Sequence, residues 1–228
     1  MAEPRRSAFP KRARHLAVGL LLLAPCAAAQ TRPEPNPDVQ FWPELVVSHQ
    51  FTEHASAAVA GSYRFSHDVT HASDRYLAGR LTYAPFRFLS FTPDFRYNRS
   101  ETAHNTLSHE KRLTFDVALR APQLRGWDFS DRHRGEWRLL DGHWSERYRN
   151  RAQVERSFSF DGHRLTPYGA FEESYDTRYG WNRAREYAGI RLPLAHRLTL
   201  DAAYLHQQDG HAVFQHLHVL STSLRLEL

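Results

Sequence analysis

The most constraining feature of this chain is an alternation of apolar and polar residues with period two, which returns in segment after segment to the last residue. Residues 110–120 show it best. Leu113, Phe115, Val117 and Leu119 fall on one face, and Arg112, Thr114, Asp116, Ala118 and Arg120 on the other. Period two belongs to a strand whose faces meet different surroundings; at 3.6 residues per turn these apolar side chains would scatter around a helix. Residues 55–65 set Ala57, Val59, Gly61, Tyr63 and Phe65 against Ala58, Ala60, Ser62 and Arg64. Residues 89–97 set Leu89, Phe91, Phe95 and Tyr97 against Ser90, Thr92, Asp94 and Arg96, and the final segment sets Leu220, Leu224 and Leu226 against Ser221, Ser223 and Arg225. Turn-forming residues separate the segments, so the chain reads as all-β.

Eleven strands are predicted, starting near residues 41, 55, 74, 88, 109, 127, 146, 164, 182, 197 and 217. The polar faces choose between architectures. A soluble sandwich turns a mixed polar face to water. Here that face carries charged tracks: Arg132, Arg134, Glu136 and Arg138, then Arg147, Arg149, Arg151 and Glu155, then Arg183, Arg185 and Arg191. Such tracks fit an enclosed interior. The expected fold is a single antiparallel transmembrane up-and-down β-barrel of 10–12 strands. An even count places both ends of a bacterial barrel on one side, which favours twelve, or ten if residues 41–50 lie outside the wall. Short turns are expected near 52–54, 84–87, 123–126, 161–163 and 194–197, and mostly longer connections near 67–73, 100–108, 177–180 and 209–217. Aromatic residues gather towards segment ends, among them Trp42, Tyr83, Phe86, Trp127, Trp144, Tyr175 and Trp181, as interfacial girdles require. Asn150, Arg156, Glu173 and Glu186 fall on the apolar face and must sit at a rim or mark a bulge; Pro93 interrupts a strand and removes a ladder donor.

The first residues read as a cleaved signal peptide, 1–29: a basic region (Arg5, Arg6, Lys11, Arg12, Arg14), an apolar run from Leu16 to Ala24, and small residues Ala27–Ala29. The run is too short for a membrane helix. Residues 30–38 form a Pro-rich linker and 39–228 the barrel. Of 30 bases and 25 acids the leader holds five and one, leaving 25 against 24, so the basic balance is no argument for nucleic-acid binding. The single cysteine, Cys26, lies in the leader, which excludes a disulfide framework or thiolate metal site beyond it. Mean hydropathy of −0.62 resembles that of a soluble protein, but a barrel wall turns only alternate residues to lipid.

The stretches Phe129–Glu136 (Phe-Ser-Asp-Arg-His-Arg-Gly-Glu), Arg147-Tyr-Arg-Asn-Arg151, Trp181-Asn-Arg-Ala-Arg185 with Gly189, and Leu200-Asp201 through Tyr204-Leu205 resemble domain-of-unknown-function family 2490. The resemblance covers most of the barrel and is strongest in its second half. It implies an outer-membrane β-barrel of a Gram-negative bacterium and no particular chemistry. The chain closes on Leu226-Glu227-Leu228, where such barrels commonly carry an aromatic residue.

The candidate site is a network of charges facing the interior: Asp94, Arg96, Arg112, Asp116, Arg120, Arg132, Arg134, Glu136, Arg138, Arg147, Arg149, Arg151, Glu155, Glu172, Arg183, Arg185, Arg191 and Asp201. Arginine forks bind carboxylate and phosphate groups, so an anion-selective passage is one reading. The other, which is preferred, is a narrow barrel packed and cross-braced by its own ion pairs. Among fifteen histidines only His216-x-His218 is closely spaced, and two imidazoles make an incomplete metal site. Ser221, Ser223, His206, His218 and Asp201 hold the elements of a serine triad without a local nucleophile motif. The expectation is a structural or narrow solute-passing protein, not an enzyme, without cofactor or metal. Its partners would be outer-membrane lipids and lipopolysaccharide and the barrel-assembly machinery, with a small anionic solute as a further candidate. An outer-membrane lipid or lipopolysaccharide hydrolase is the remaining alternative.

Overall fold

A computed structural model describes residues 37–101, 106–161, 163–210 and 216–228; the leader and most of the linker lie outside the described residues. Twelve strands follow in order: β1 (Pro37–Gln50), β2 (Ala55–Ser66), β3 (His71–Phe86), β4 (Leu89–Glu101), β5 (Leu107–Arg120), β6 (Trp127–Leu140), β7 (His143–Arg156), β8 (Phe158–Phe160), β9 (His163–Asp176), β10 (Gly180–Ala195), β11 (Leu198–Asp209) and β12 (His216–Glu227). Each pairs with the next from β1 to β7 and from β8 to β12, β9 also pairs with β7, and β12 returns to β1. The sheet therefore closes on itself. The three-residue β8 continues β7 along β9: Glu155 faces Tyr168 and Phe158 faces Leu165, the same register on either side of Ser157.

The wall has eleven strands, the number the alternation counts, and the lean towards twelve is corrected by how the seam forms. Every pair is antiparallel except β1–β12, which runs parallel from Pro37↔His216 to Ser48↔Glu227. A parallel seam lets an odd number close. Residues 41–50, the candidates for exclusion, form half of that seam. Pro37 and Asp38, read as linker, belong to β1, and Asp38 is buried. We call the end where β1 starts the entry end and the end where β12 finishes the exit end.

The expected connections fall near their places, a further turn at Asp141-Gly142 joins β6 to β7, and the contrast in length is weaker. Asp141-Gly142, at the entry end, is a two-residue turn with φ of 48° and 85°, while residues 121–126 make a six-residue connection at the exit end. Both turn residues lie in the left-handed region, the geometry of the tightest hairpins, which Asp-Gly supplies. Pro93 does not end its strand. β4 runs through it, paired with Phe115 of β5; on the β3 side Arg80↔Asp94 and Tyr83↔Phe91 flank an unladdered stretch, which the Thr82 and Thr92 hydroxyls bridge at 3.0 Å.

Burial is inverted relative to a water-soluble core. Among the described residues seven apolar side chains are buried, against seventeen polar or charged ones, and 34 large apolar side chains are exposed. The exposed set occupies the outward parity of each strand: Leu45 in β1, Val59 in β2, Leu77 and Leu81 in β3, Phe95 in β4, Leu113 and Phe115 in β5. Aromatic residues mark both ends. Trp144, Tyr175, Tyr179 and Trp181 lie exposed at the entry end, and Tyr83, Phe86, Phe88, Trp127 and Phe160 at the exit end. Trp42, expected in a girdle, instead points inward against Leu205, Leu217 and Val219, which with Val46, Ala60 and Ala78 form an apolar lining near the seam.

Candidate functional site: the charged interior

Opposite that lining, β4 to β10 turn their charged parity inward. Short acidic side chains stay near the wall while long arginines reach past them. Glu136 and Glu172 are each 1 % exposed, Asp94 and Asp176 3 %. Glu172 collects Arg149 at 2.5 Å, Arg132 at 2.8 Å and Arg185 at 3.1 Å. Glu136 takes Arg149 at 2.9 Å and Arg112 at 3.7 Å. Asp116 is gripped by both sides of the Arg134 fork, at 2.6 and 2.7 Å. Glu110 receives Arg112 at 2.9 and 3.0 Å and Arg138 at 2.6 and 3.3 Å. Forked contacts of this kind fix geometry as well as charge. They brace neighbouring strands, and removing one partner strands a buried charge at a cost of about 3–5 kcal/mol.

Most of the expected network is assembled. Arg147 pairs with Asp176 at 3.3 Å, Arg183 pairs with Asp209, and Arg191 lies 3.4 Å from Glu155 and 3.6 Å from Asp201. Three expected members differ. Arg96 and Arg151 face inward but have no carboxylate partner among the described residues; they lie over the rings of Tyr76 and Tyr187, at 3.9 and 4.2 Å. Arg120 has inward parity yet ends β5, is exposed, and joins no carboxylate. The structure adds members that sequence reasoning left out: Glu44, Arg80, which reaches both Glu44 and the expected Asp94 at 2.9 Å, Glu110, Asp176 and Asp209.

The other candidate chemistry is dispersed by the wall itself. His206 and His218 sit on the outward parity of β11 and β12, while Asp201, Ser221 and Ser223 sit on the inward parity. A serine triad is not brought together. His206 stacks on His216 and His218 at 5.8 and 5.2 Å, and no group of three metal-ligating side chains occurs among the described residues. Polar residues expected to be awkward on the outer face find partners there. Asn150 donates to Asp131 at 2.7 Å, Glu186 lies 3.7 Å from His206, and Arg156 ends β7 over Trp127 and Phe158. Glu173 is exposed three residues from the end of β9. Three tyrosines share one outward device, their hydroxyls meeting a cross-strand histidine Nδ1: Tyr97–His109 at 2.7 Å, Tyr148–His133 at 2.6 Å and Tyr204–His218 at 2.7 Å.

A closed sheet with ion pairs inside and bare apolar side chains outside defines a β-barrel with a charged interior. The family model described as a protein of unknown function, DUF2490, matches residues 39–216. The chain belongs to that family. No curated protein matches the sequence.

Proposed function

We propose that this chain is an outer-membrane β-barrel, exported through the periplasm, that serves as a structural element or a narrow solute passage. One observation carries the reading: the outward parity of the wall is largely apolar and carries aromatic rings at both ends, broken midway by paired polar residues such as Asp131, Asn150 and Glu186, while ion pairs line the inside. In water, an exposed apolar surface of this extent drives aggregation. Against acyl chains it is the expected exterior, with backbone groups satisfied by the closed ladder. The contacts this reading assigns are lipid and lipopolysaccharide around the wall and the barrel-assembly machinery during insertion. It assigns no chemical step.

The test is cell fractionation with electrophoresis of unboiled and boiled samples. The expected result is recovery with the outer membrane, extraction only by detergent, and a mobility change on boiling. A chain that stays in the periplasm without detergent overturns the reading. Planar-bilayer recording then separates a structural barrel, which is silent, from a passage, which carries current.

A further inference from the structure

We infer that the entry-end half of the interior is a binding site for a small polyanion carrying phosphate or carboxylate groups. The inference concerns the same interior as the proposal above and rests on its being enclosed by the barrel wall. A cavity of about 510 Å³ opens there, within the range of small-molecule sites. Eleven arginines and four carboxylates line it. The remaining acids of the network, among them Asp94, Asp116 and Glu136, do not line it. The wall is cross-braced, yet its inner surface presents guanidinium.

Register sharpens this. Arg96 stands directly across from Arg112, Arg132 from Arg151, and Arg134 from Arg149. Like charges directly opposite in a ladder repel. Carboxylates relieve the last pair, through Asp116, Glu136 and Glu172. In the first two pairs one member lacks a carboxylate: Arg96 rests on the Tyr76 face, Arg151 rests on the Tyr187 face and donates to Gln153 Oε1 at 3.0 Å, and the Nε groups of Arg96, Arg132 and Arg151 are buried without a hydrogen-bond partner. A buried unsatisfied donor is costly. An oxyanion in the cavity would relieve the repulsion and accept hydrogen bonds from guanidinium groups that line it, and a ligand with several anionic groups would engage both Arg96 and Arg151. Aromatic stacking itself consumes no in-plane donor of either guanidinium, and Arg151 uses one on Gln153.

The experiment uses the full chain in detergent, with barrel closure established by the mobility change on boiling. Calorimetric titrations with pyrophosphate and with citrate, at fixed ionic strength in sodium chloride, distinguish phosphate from carboxylate chemistry. Saturable binding of either is expected. Arg96→Gln and Arg151→Gln remove no carboxylate's partner, so the barrel should still close, and each should weaken binding about tenfold. Arg120→Gln, outside the cavity, should leave it unchanged. Trp42, which lines the cavity under Arg64 at 4.2 Å, gives an independent readout. Its emission should change with pyrophosphate, and Trp42→Phe should abolish that ligand-dependent component. This decides the matter even if the arginine variants do not close. A closed barrel that binds neither anion, or binds them equally well without Arg96 and Arg151, overturns the inference. Failure of the membrane reading shows separately, as solubility without detergent.

Discussion

The Tyr168 ring lies across Gly189, its directly opposed neighbour on β10, so closely that a methyl group at 189 would sit 2.4 Å from the Tyr168 Cζ. The ring is held there by its hydroxyl, which donates to Asp201 at 2.7 Å. Gly189→Ala should therefore cost about 1–3 kcal/mol through overpacking. In a Tyr168→Ala background the same change should be nearly neutral, because contacting residues couple. Urea titrations of barrel folded into vesicles, run as a double-mutant cycle, measure the coupling; additive losses would contradict the contact.

Glu172 should be among the least replaceable side chains of the interior. Its loss leaves Arg149, Arg132 and Arg185 facing one another around an absent charge. Glu172→Gln is expected to cost about 3–5 kcal/mol. Glu155→Gln disturbs the more exposed Arg191 pair and the hydrogen bond from Gln153 at 2.7 Å, and should cost under about 1 kcal/mol. The same urea titration ranks the two, and equal losses would show that burial does not set the scale.

The solvent outside the wall can be probed with one charge at two heights. Leu113 lies midway along β5 and Leu226 near the exit end of β12, both on the outward face. If acyl chains surround the barrel, Leu113→Arg should cost about 2–4 kcal/mol and Leu226→Arg about 0–1 kcal/mol. In water neither should exceed about 0.5 kcal/mol. The difference between the two variants is the observable.

Acid should release the Asp141-Gly142 turn. The Asp141 carboxylate accepts the His109 backbone N–H at 2.8 Å and the Ser108 hydroxyl at 2.6 Å, and these donors hold its pKa below the ordinary 3.8. A carboxyl with a depressed folded pKa stabilises fully above the unfolded value, and that contribution is lost as pH falls from 3.8 through the lower folded one. The His109 amide resonance should move with a midpoint below 3.8, and Asp141→Asn should abolish that movement.

How far the sequence reaches is clearest strand by strand. β2 and β6 begin at Ala55 and Trp127, where the alternation starts, because their faces are unambiguous. β1 is harder: the inward positions include Trp42 and Val46, which are apolar, so Glu44 has no polar neighbours to mark its face. Asp176 and Asp209 sit beside turn residues and look like loop, yet both face inward at the last strand position. Pairing across the interior is beyond period-two reasoning altogether. Arg132 and Glu172 are forty residues apart and on non-adjacent strands, joined only by curvature and side-chain length. For the same reason Arg96 and Arg151 look no different in sequence from arginines that are neutralised.

The parallel seam also has a consequence for topology. Because β1 and β12 run the same way, Pro37 and Leu228 emerge at opposite mouths of the cylinder. In a bilayer, a reporter fused ahead of the first strand and one fused behind the last would therefore be read by reagents in two different compartments, whereas a wall with one strand more or fewer would put both on the same side.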